Sequence, residues 1–285
     1  MSTQTGASHD LAAAEAGLRK VLREVAPVLV AFSGGVDSTL LLRVALDELG
    51  PEQVLAVTVH GDVHTEEESG AARETAARLG ARHLVIPMYQ LSVPGFAANP
   101  PERCYLCRRA MYEKLIAVTK SEGMKTIVDG ANLDDRGDYR PGMQAAADMG
   151  IVSPLLLAGF RKDDVRSLAR TLGLPNWDLP ASPCLASRFP YGETIAAEGL
   201  RMVGAGERYL RGLGFGSVRV RHHGAVARIE VGEDDIPRAA EAPVRRAIVE
   251  HLRGLGYSYI ALDLQGFRSG SLNEVLPEPE DEEAE

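Results

Sequence analysis

Apolar residues recur at helical spacing over residues 10–25 (DLAAAEAGLRKVLREV), which predicts an amphipathic helix. VLVAFS at 28–33 is short, apolar and rich in β-branched residues, the pattern of a strand buried on both faces. The turn GGVDS and the apolar run TLLLRVALDEL follow, the latter read as a helix. Further strands are predicted at 53–59, 83–88 and 125–130, with helices near 65–79, 103–119 and 162–172 and a segment near 150–157 left unassigned. Strands alternating with helices predict an α/β fold built on a doubly wound parallel sheet.

The pattern changes after about residue 195. A helix is expected over 196–213. Two alternating strands, SVRVRH and AVARIEV, then flank His223-Gly224. A helix over 236–254 and the strand YIALDL complete a small α+β module with an antiparallel hairpin. The expected organisation is therefore 1–195, 196–275, and an acidic tail, 276–285, with no apolar anchor and so disordered.

With 45% hydrophobic and 25% charged residues, the chain has enough apolar surface for a real core. No apolar run approaches the roughly 20 residues of a membrane span, and MSTQTGASHD lacks the pattern of an export signal. The expected location is the cytoplasm, with no membrane partner. A net charge of −9 argues against nucleic acid as a partner. The three cysteines, Cys104, Cys107 and Cys184, are an odd number, which favours a metal or redox role over a disulfide framework.

Ser33-Gly34-Gly35-Val36-Asp37-Ser38 lies between a buried strand and an apolar helix. Glycines let the backbone approach an anion, and a helix amino terminus offers unpaired N–H groups with positive dipole character. Ser33, Ser38 and Thr39 add hydroxyls. The Gly-Lys-Ser/Thr ending of the Walker loop is absent. A capped turn is the plainer alternative, but the whole hexapeptide in this setting reads as a phosphate site. Asp37 and Asp134 are candidate Mg2+ ligands and Lys162 a candidate phosphate contact.

Cys104 and Cys107 form a CxxC at the start of a predicted helix, so both sulfurs share a face. A helix amino terminus favours thiolates. Cys184 follows in a proline-flanked loop, LPASPCLASRFPYG. Three readings stand: small buried side chains, a structural zinc site that lacks its fourth ligand, or an iron–sulfur cluster on three thiolates with one iron open. Arg219 and Arg221 alternate on one strand and share a face with Arg228 and Glu230 of the next, opposite Val218, Val220, Ile229 and Val231. That face is either solvated or an anion site, since guanidinium forks suit phosphate and carboxylate. Arg188, four residues after Cys184, is a further carboxylate candidate, and Trp177 reads as packing.

The hexapeptide resembles the loop of the ATP-pyrophosphatase (PP-loop) superfamily, and PASPCLASRFPYGETI resembles the active-site segment of the LarE family. Similar stretches are DGANLDDRGDYRPG, GFRKDDVRSLARTLGLPNWD, RVRHHGAVARIEV and DLQGFRSGSLNE, so the likeness spans nearly the whole chain except the first ~25 residues and the tail. It implies an ATP-dependent sulfurtransferase that adenylates a pyridinium-3,5-biscarboxylic acid mononucleotide during nickel-pincer nucleotide assembly. Residues 33–38 would cradle pyrophosphate. Arg219, Arg221 and the similarly placed Arg268 would hold substrate, and Glu207 and Glu230 match acidic positions tied to metal or substrate. Family members with all three cysteines carry a 4Fe-4S cluster, here on Cys104, Cys107 and Cys184, fed by sulfide or another sulfur donor. Members with only the loop cysteine sacrifice it. Relatives form homo-oligomers. The rivals are a tRNA-thiolating enzyme, an ammonia-using amide synthetase and a non-catalytic nucleotide-binding module.

Overall fold

The computed structural model describes residues 10–137, 141–180, 182–268 and 270–275. The acidic tail expected to be disordered lies outside them, as do residues 138–140 of DGANLDDRGDYRPG, residue 181 of LPASPCLASRFPYG and residue 269 of GFRSGS. The chain divides into two compact units, one of residues 1–93 and 102–182, the other of 94–101 and 183–285.

The first unit opens with α1 (Leu11–Val25), whose cap Asp10 accepts the N–H groups of Ala12 and Ala13, satisfying donors the first turn cannot pair internally. There follow β1 (Val28–Ala31), α2 (Val36–Leu49), β2 (Val54–His60), α3 (Glu66–Arg78), β3 (Arg82–Pro87), α4 (Arg103–Ser121) and β4 (Thr126–Val128). Then come α5 (Pro141–Asp148), α6 (Pro154–Leu157) and α7 (Lys162–Thr171). A reciprocal capping box between Thr65 and Glu68 starts α3.

The four strands lie in the order β3-β2-β1-β4, all parallel. Side chains alternate across the sheet, and both faces are buried over β1, β2 and β4, while β3 at the edge holds no buried residue. Val28, Val30, Val54, Ala56 and Val128 pack with Leu18, Leu40 and Val165 from the helices on one side, and Trp177 is partly buried against this layer. Leu29, Leu55, Val57 and Ile127 pack with Tyr112 and Leu115 of α4 on the other. The doubly wound sheet expected from the strand runs is thus present. β1 is flanked by strands entering from opposite directions of the order, which places the loop after it at the carboxyl-end crevice where such sheets bind ligands. The 150–157 segment contributes only a bridge, Val152 to Val128, and α6.

The second unit contains α8 (Ala197–Gly212), β5 (Val218–His223), β6 (Val226–Val231), α9 (Ile236–Ala240), α10 (Ala242–Gly254) and β7 (Tyr259–Leu262). β5 and β6 are antiparallel, with Arg219 opposite Glu230 and Arg221 opposite Arg228, and β7 runs parallel to β6. Val218, Val220, Ile229 and Val231 form the apolar face with Leu210 and Leu252. The single helix expected over 236–254 is broken at Glu241, whose extended backbone (φ −58°, ψ 138°) precedes a new helix with Pro243 in its first turn.

The unit boundary falls at 182/183, ahead of residue 195, and 94–101 joins the second unit. Asn99 supplies the reason. It is fully buried with φ +56°, and its amide donates to the carbonyls of Phe189 and Pro190 at 3.3 and 2.6 Å. Backbone bonds from Gly192 to Asn99 and from Ile195 to Ala97 complete the attachment. Asn tolerates the left-handed region better than most residues. Replacing Asn99 with Ala should therefore lower unfolding free energy by about 2 kcal/mol, and Asn99→Gly by less, because glycine keeps the backbone unstrained. Urea unfolding of the three proteins checks the order.

Candidate active site

The loop after β1 is organised by its own hydroxyls. Ser38 Oγ accepts the Ser33 N–H at 3.3 Å and donates to the Gly35 carbonyl at 3.1 Å, and the two serine oxygens are 3.1 Å apart. Gly34 has φ +80°, and a Cβ there would lie 3.1 Å from the Ala72 backbone; only glycine fits both demands. Gly35 caps α2 with no side-chain hydrogen bond to the helix, so an anion has access to the first-turn donors. Asn176 braces the loop from outside, its Nδ2 donating to the Gly34 carbonyl at 2.8 Å and to Thr39 Oγ1 at 2.9 Å.

Asp37 and Lys162, proposed separately from sequence, meet in an ion pair between Oδ2 and Nζ. The Lys162 N–H donates to Asp134 Oδ2 at 2.7 Å, and Arg161 approaches the other oxygen at 3.6 Å. Asn132 Nδ2 donates to Asp37 Oδ1 at 3.2 Å. The turn after β4 passes so close that a Cβ on Gly130 would sit 3.0 Å from the Ser38 nitrogen. Sequence reading gave Gly130, Asn132 and Asn176 no site role beyond their place in family-like stretches; their effect comes from contacts 92 to 142 residues away in sequence (130 − 38; 176 − 34).

Cys104 and Cys107 occupy the first turns of α4, Cys104 exposed and Cys107 half-buried, and none of the three cysteines is in a disulfide. Cys184 belongs to the second unit, where its backbone starts a short 3-10 turn, Leu185–Arg188. Within either unit, no group of three or more His, Cys, Asp or Glu among the described residues is clustered as a metal site.

Arg188 holds that turn in place. It is 1% exposed, and its Nη1 donates to the carbonyls of Pro183 and Cys184 at 2.7 and 3.2 Å. Nε and Nη2 form a two-pronged pair with Glu207 at 2.7 and 2.9 Å. The carboxylate that Arg188 holds is thus the protein's own. Glu207 also accepts from Arg211 and from the Val220 N–H. Burial alone would raise its pKa, but hydrogen bonding and charge from Arg188 outweigh it and hold the carboxyl below its usual range. Arg221 repeats the device, pairing with Glu230 at 2.8 and 2.9 Å while donating to the Ser187 carbonyl at 2.8 Å. Glu230 is shared with Arg228. The polar face of the hairpin is therefore buried: Arg219 is 9% exposed, Arg221 6% and Glu230 2%.

Arg219 differs from its neighbours. It donates to the Val218 carbonyl and lies over the Phe267 ring at 4.9 Å, with no carboxylate in ion-pair range among the described residues. Burial, with the charges of Arg188, Arg221 and Arg211, draws it down to about 10 against the pull of Glu207, so it is still a cation at neutral pH. Arg268 is half exposed and paired with Glu274, which raises its pKa.

A pyridinium-3,5-bisthiocarboxylic acid mononucleotide synthase of Lactiplantibacillus plantarum is 41% identical over 266 residues, covering 93% of this chain and 96% of that protein. The chain belongs to the LarE family. An uncharacterised Synechocystis protein is equally similar, 41% over 259 residues and 91% and 96% of the two chains. A model of the asparagine synthase family matches residues 14–93, which contain the glycine loop. An NH(3)-dependent NAD(+) synthetase of Hyperthermus butylicus is 32% identical over about half of each chain (52% and 54%). As a LarE-family protein with this PP-loop, the chain is an ATP-dependent sulfurtransferase, as its glycine loop and cysteine segment led one to expect.

Because the folded pKa of Glu207 is depressed, its contribution to stability is present above the ordinary carboxylate value of about 4.3 and is lost as pH falls through the lower folded value. Glu207→Gln also leaves Arg188 buried without its carboxylate and should cost about 3 kcal/mol at pH 7. The gap between wild type and variant in urea unfolding should shrink as pH drops below about 4.

Proposed function

We propose that this protein adenylates the carboxylates of a pyridinium-3,5-biscarboxylic acid mononucleotide and converts them to thiocarboxylates for a nickel-pincer nucleotide. The observation that carries the reading is Arg219: a buried cation with no carboxylate in ion-pair range among the described residues, on the same hairpin face as Arg221, which holds the backbone of the Cys184 loop. Such a face attracts phosphate and carboxylate, and the reacting carbonyl would lie on the cysteine's side of the fold.

ATP is bound at residues 33–38, with Asp37 released to Mg2+ and Lys162 to phosphate. A substrate carboxylate oxygen attacks the α-phosphorus, the bond to the β-phosphate oxygen breaks, and pyrophosphate leaves. The acyl-adenylate carries AMP in place of a poor oxide leaving group. A sulfur nucleophile adds to the carbonyl carbon and AMP departs, leaving a C–S bond. Three cysteines, Cys104, Cys107 and Cys184, match the donor set of a 4Fe-4S cluster with one iron left open, and two of them lie in the opening turns of a helix, where thiolates are favoured. Such a cluster would supply sulfide from its open iron. Within the second unit Cys184 alone adjoins the arginine face, which favours a second route. There its Sγ displaces AMP to form a thioester, a base removes its α-proton, and the Cβ–S bond breaks. Sulfur stays on the substrate and dehydroalanine remains in the chain.

Glu207 and Glu230 have their oxygens engaged by guanidinium groups, so their proposed task is to orient the arginines, and that of Arg188 is to position the Cys184 turn. Arg268 is proposed as an outer substrate contact. A reducing cytoplasm suits thiol chemistry, and a homo-oligomer is expected from the family likeness.

Protein purified without oxygen should release pyrophosphate from ATP only when the mononucleotide is present, yielding the thiocarboxylate by mass spectrometry. Repeated turnover with an intact Cys184 peptide indicates the cluster; loss of about 34 Da, the mass of H2S, indicates sacrifice. Pyrophosphate release driven by tRNA instead, or thiocarboxylate formation by a variant lacking all three cysteines, would overturn the proposal. Arg219→Ala should raise the substrate KM at least about tenfold without lowering Tm, since it removes a buried, uncompensated charge.

A further inference from the structure

We infer that Tyr112 and Arg108 of α4 are positioning residues for the nucleotide loop, acting through Asp129 on the turn that packs against the start of α2. The inference rests on the reading that residues 33–38 hold ATP's phosphates.

Tyr112 is completely buried in the layer beneath the sheet, where phenylalanine would pack equally well. Its hydroxyl, however, donates to Asp129 Oδ2 at 2.9 Å and accepts from Arg108 Nη1 at 3.2 Å. Burial pushes the phenol up, so it keeps its proton and remains a donor. Asp129 is 5% exposed. Its other oxygen accepts from Ser153 Oγ at 2.7 Å and from the Ala131 N–H at 3.2 Å, while its own N–H donates to the Val152 carbonyl at 3.0 Å. One carboxylate thus gathers donors from α4, from its own turn and from the segment before α6.

The turn it fixes has no slack. Gly130, the next residue, lies so close to α2 that a Cβ would be 3.0 Å from the Ser38 nitrogen and 3.2 Å from Asp37 Cβ. Asn132, two residues further on, donates to Asp37 Oδ1. If Asp129 shifts by a few tenths of an ångström, the turn either collides with the α2 backbone or carries Asn132 away from Asp37. Asp37 in turn holds Lys162. A tyrosine on the far side of the sheet therefore sets the aim of the two charged groups at the phosphate loop.

The test is Tyr112→Phe in the full chain, with MgATP and pyrophosphate binding measured by calorimetry. The expected result is about tenfold weaker binding, with Tm within a few degrees of wild type and KM for ATP moving more than kcat. Asn132→Ala should weaken binding similarly, and the double variant should bind no worse than the weaker single one, the non-additivity of residues on one path. Unchanged affinity in Tyr112→Phe, or additive losses in the pair, overturns the inference. If Tyr112→Phe fails to fold, Ser153→Ala removes a second donor from the same carboxylate at a half-buried position and must show the same direction of change; unchanged affinity there also overturns it. Absence of MgATP and pyrophosphate binding by wild type would sink the phosphate-loop reading itself, and the inference with it.

Discussion

Backbone donors at the start of α2 lack a side-chain cap, and the residues around them keep that end open while holding it rigid. A short polar cap is the usual way to satisfy such donors; here glycine stands at the cap, and the two nearby serines bond to the loop's own backbone and to each other. Asn176 fixes the Gly34 carbonyl and Gly130 closes the other flank. An anion approaching the carboxyl edge of the sheet meets an end already shaped for it, so little ordering entropy is lost on binding.

The second unit obeys a complementary rule. Buried charge is tolerated where it is paired and hydrogen-bonded, and Arg188 with Glu207 and Arg221 with Glu230 satisfy that rule in two-pronged geometry. Both arginines also donate to carbonyls of the loop around Cys184. The ion pairs thereby order the segment that carries Cys184, while Arg219 has no carboxylate in ion-pair range among the described residues. Of the arginines that read as ligand contacts in sequence, Arg188 and Arg221 hold the loop, Arg268 pairs with Glu274, and Arg219 stacks on Phe267.

The repeating strand-helix pattern was legible because β1, β2 and β4 are short, apolar and largely buried, and the apolar alternation of β5 and β6 reported their core face correctly. The glycine loop was legible because its chemistry is local. Three kinds of feature were not. The break at Glu241 rests on one backbone turn, for which Pro243 was the available sign. The transfer of 94–101 to the second unit depends on Asn99 meeting carbonyls 90 and 91 residues away. That the arginine face is buried rather than solvated depends on Ser187 and the glutamates closing over it. Local pattern carries propensity and period, while such contacts are set by tertiary packing.

The ion pair of Asp37 and Lys162 has a thermodynamic consequence. Asp37 and Lys162 neutralise one another, so neither side chain presents an unopposed charge. Breaking the pair for one guest frees the other member for the second. On the proposed reading of the loop, divalent cation and triphosphate would each lower the cost of admitting the other.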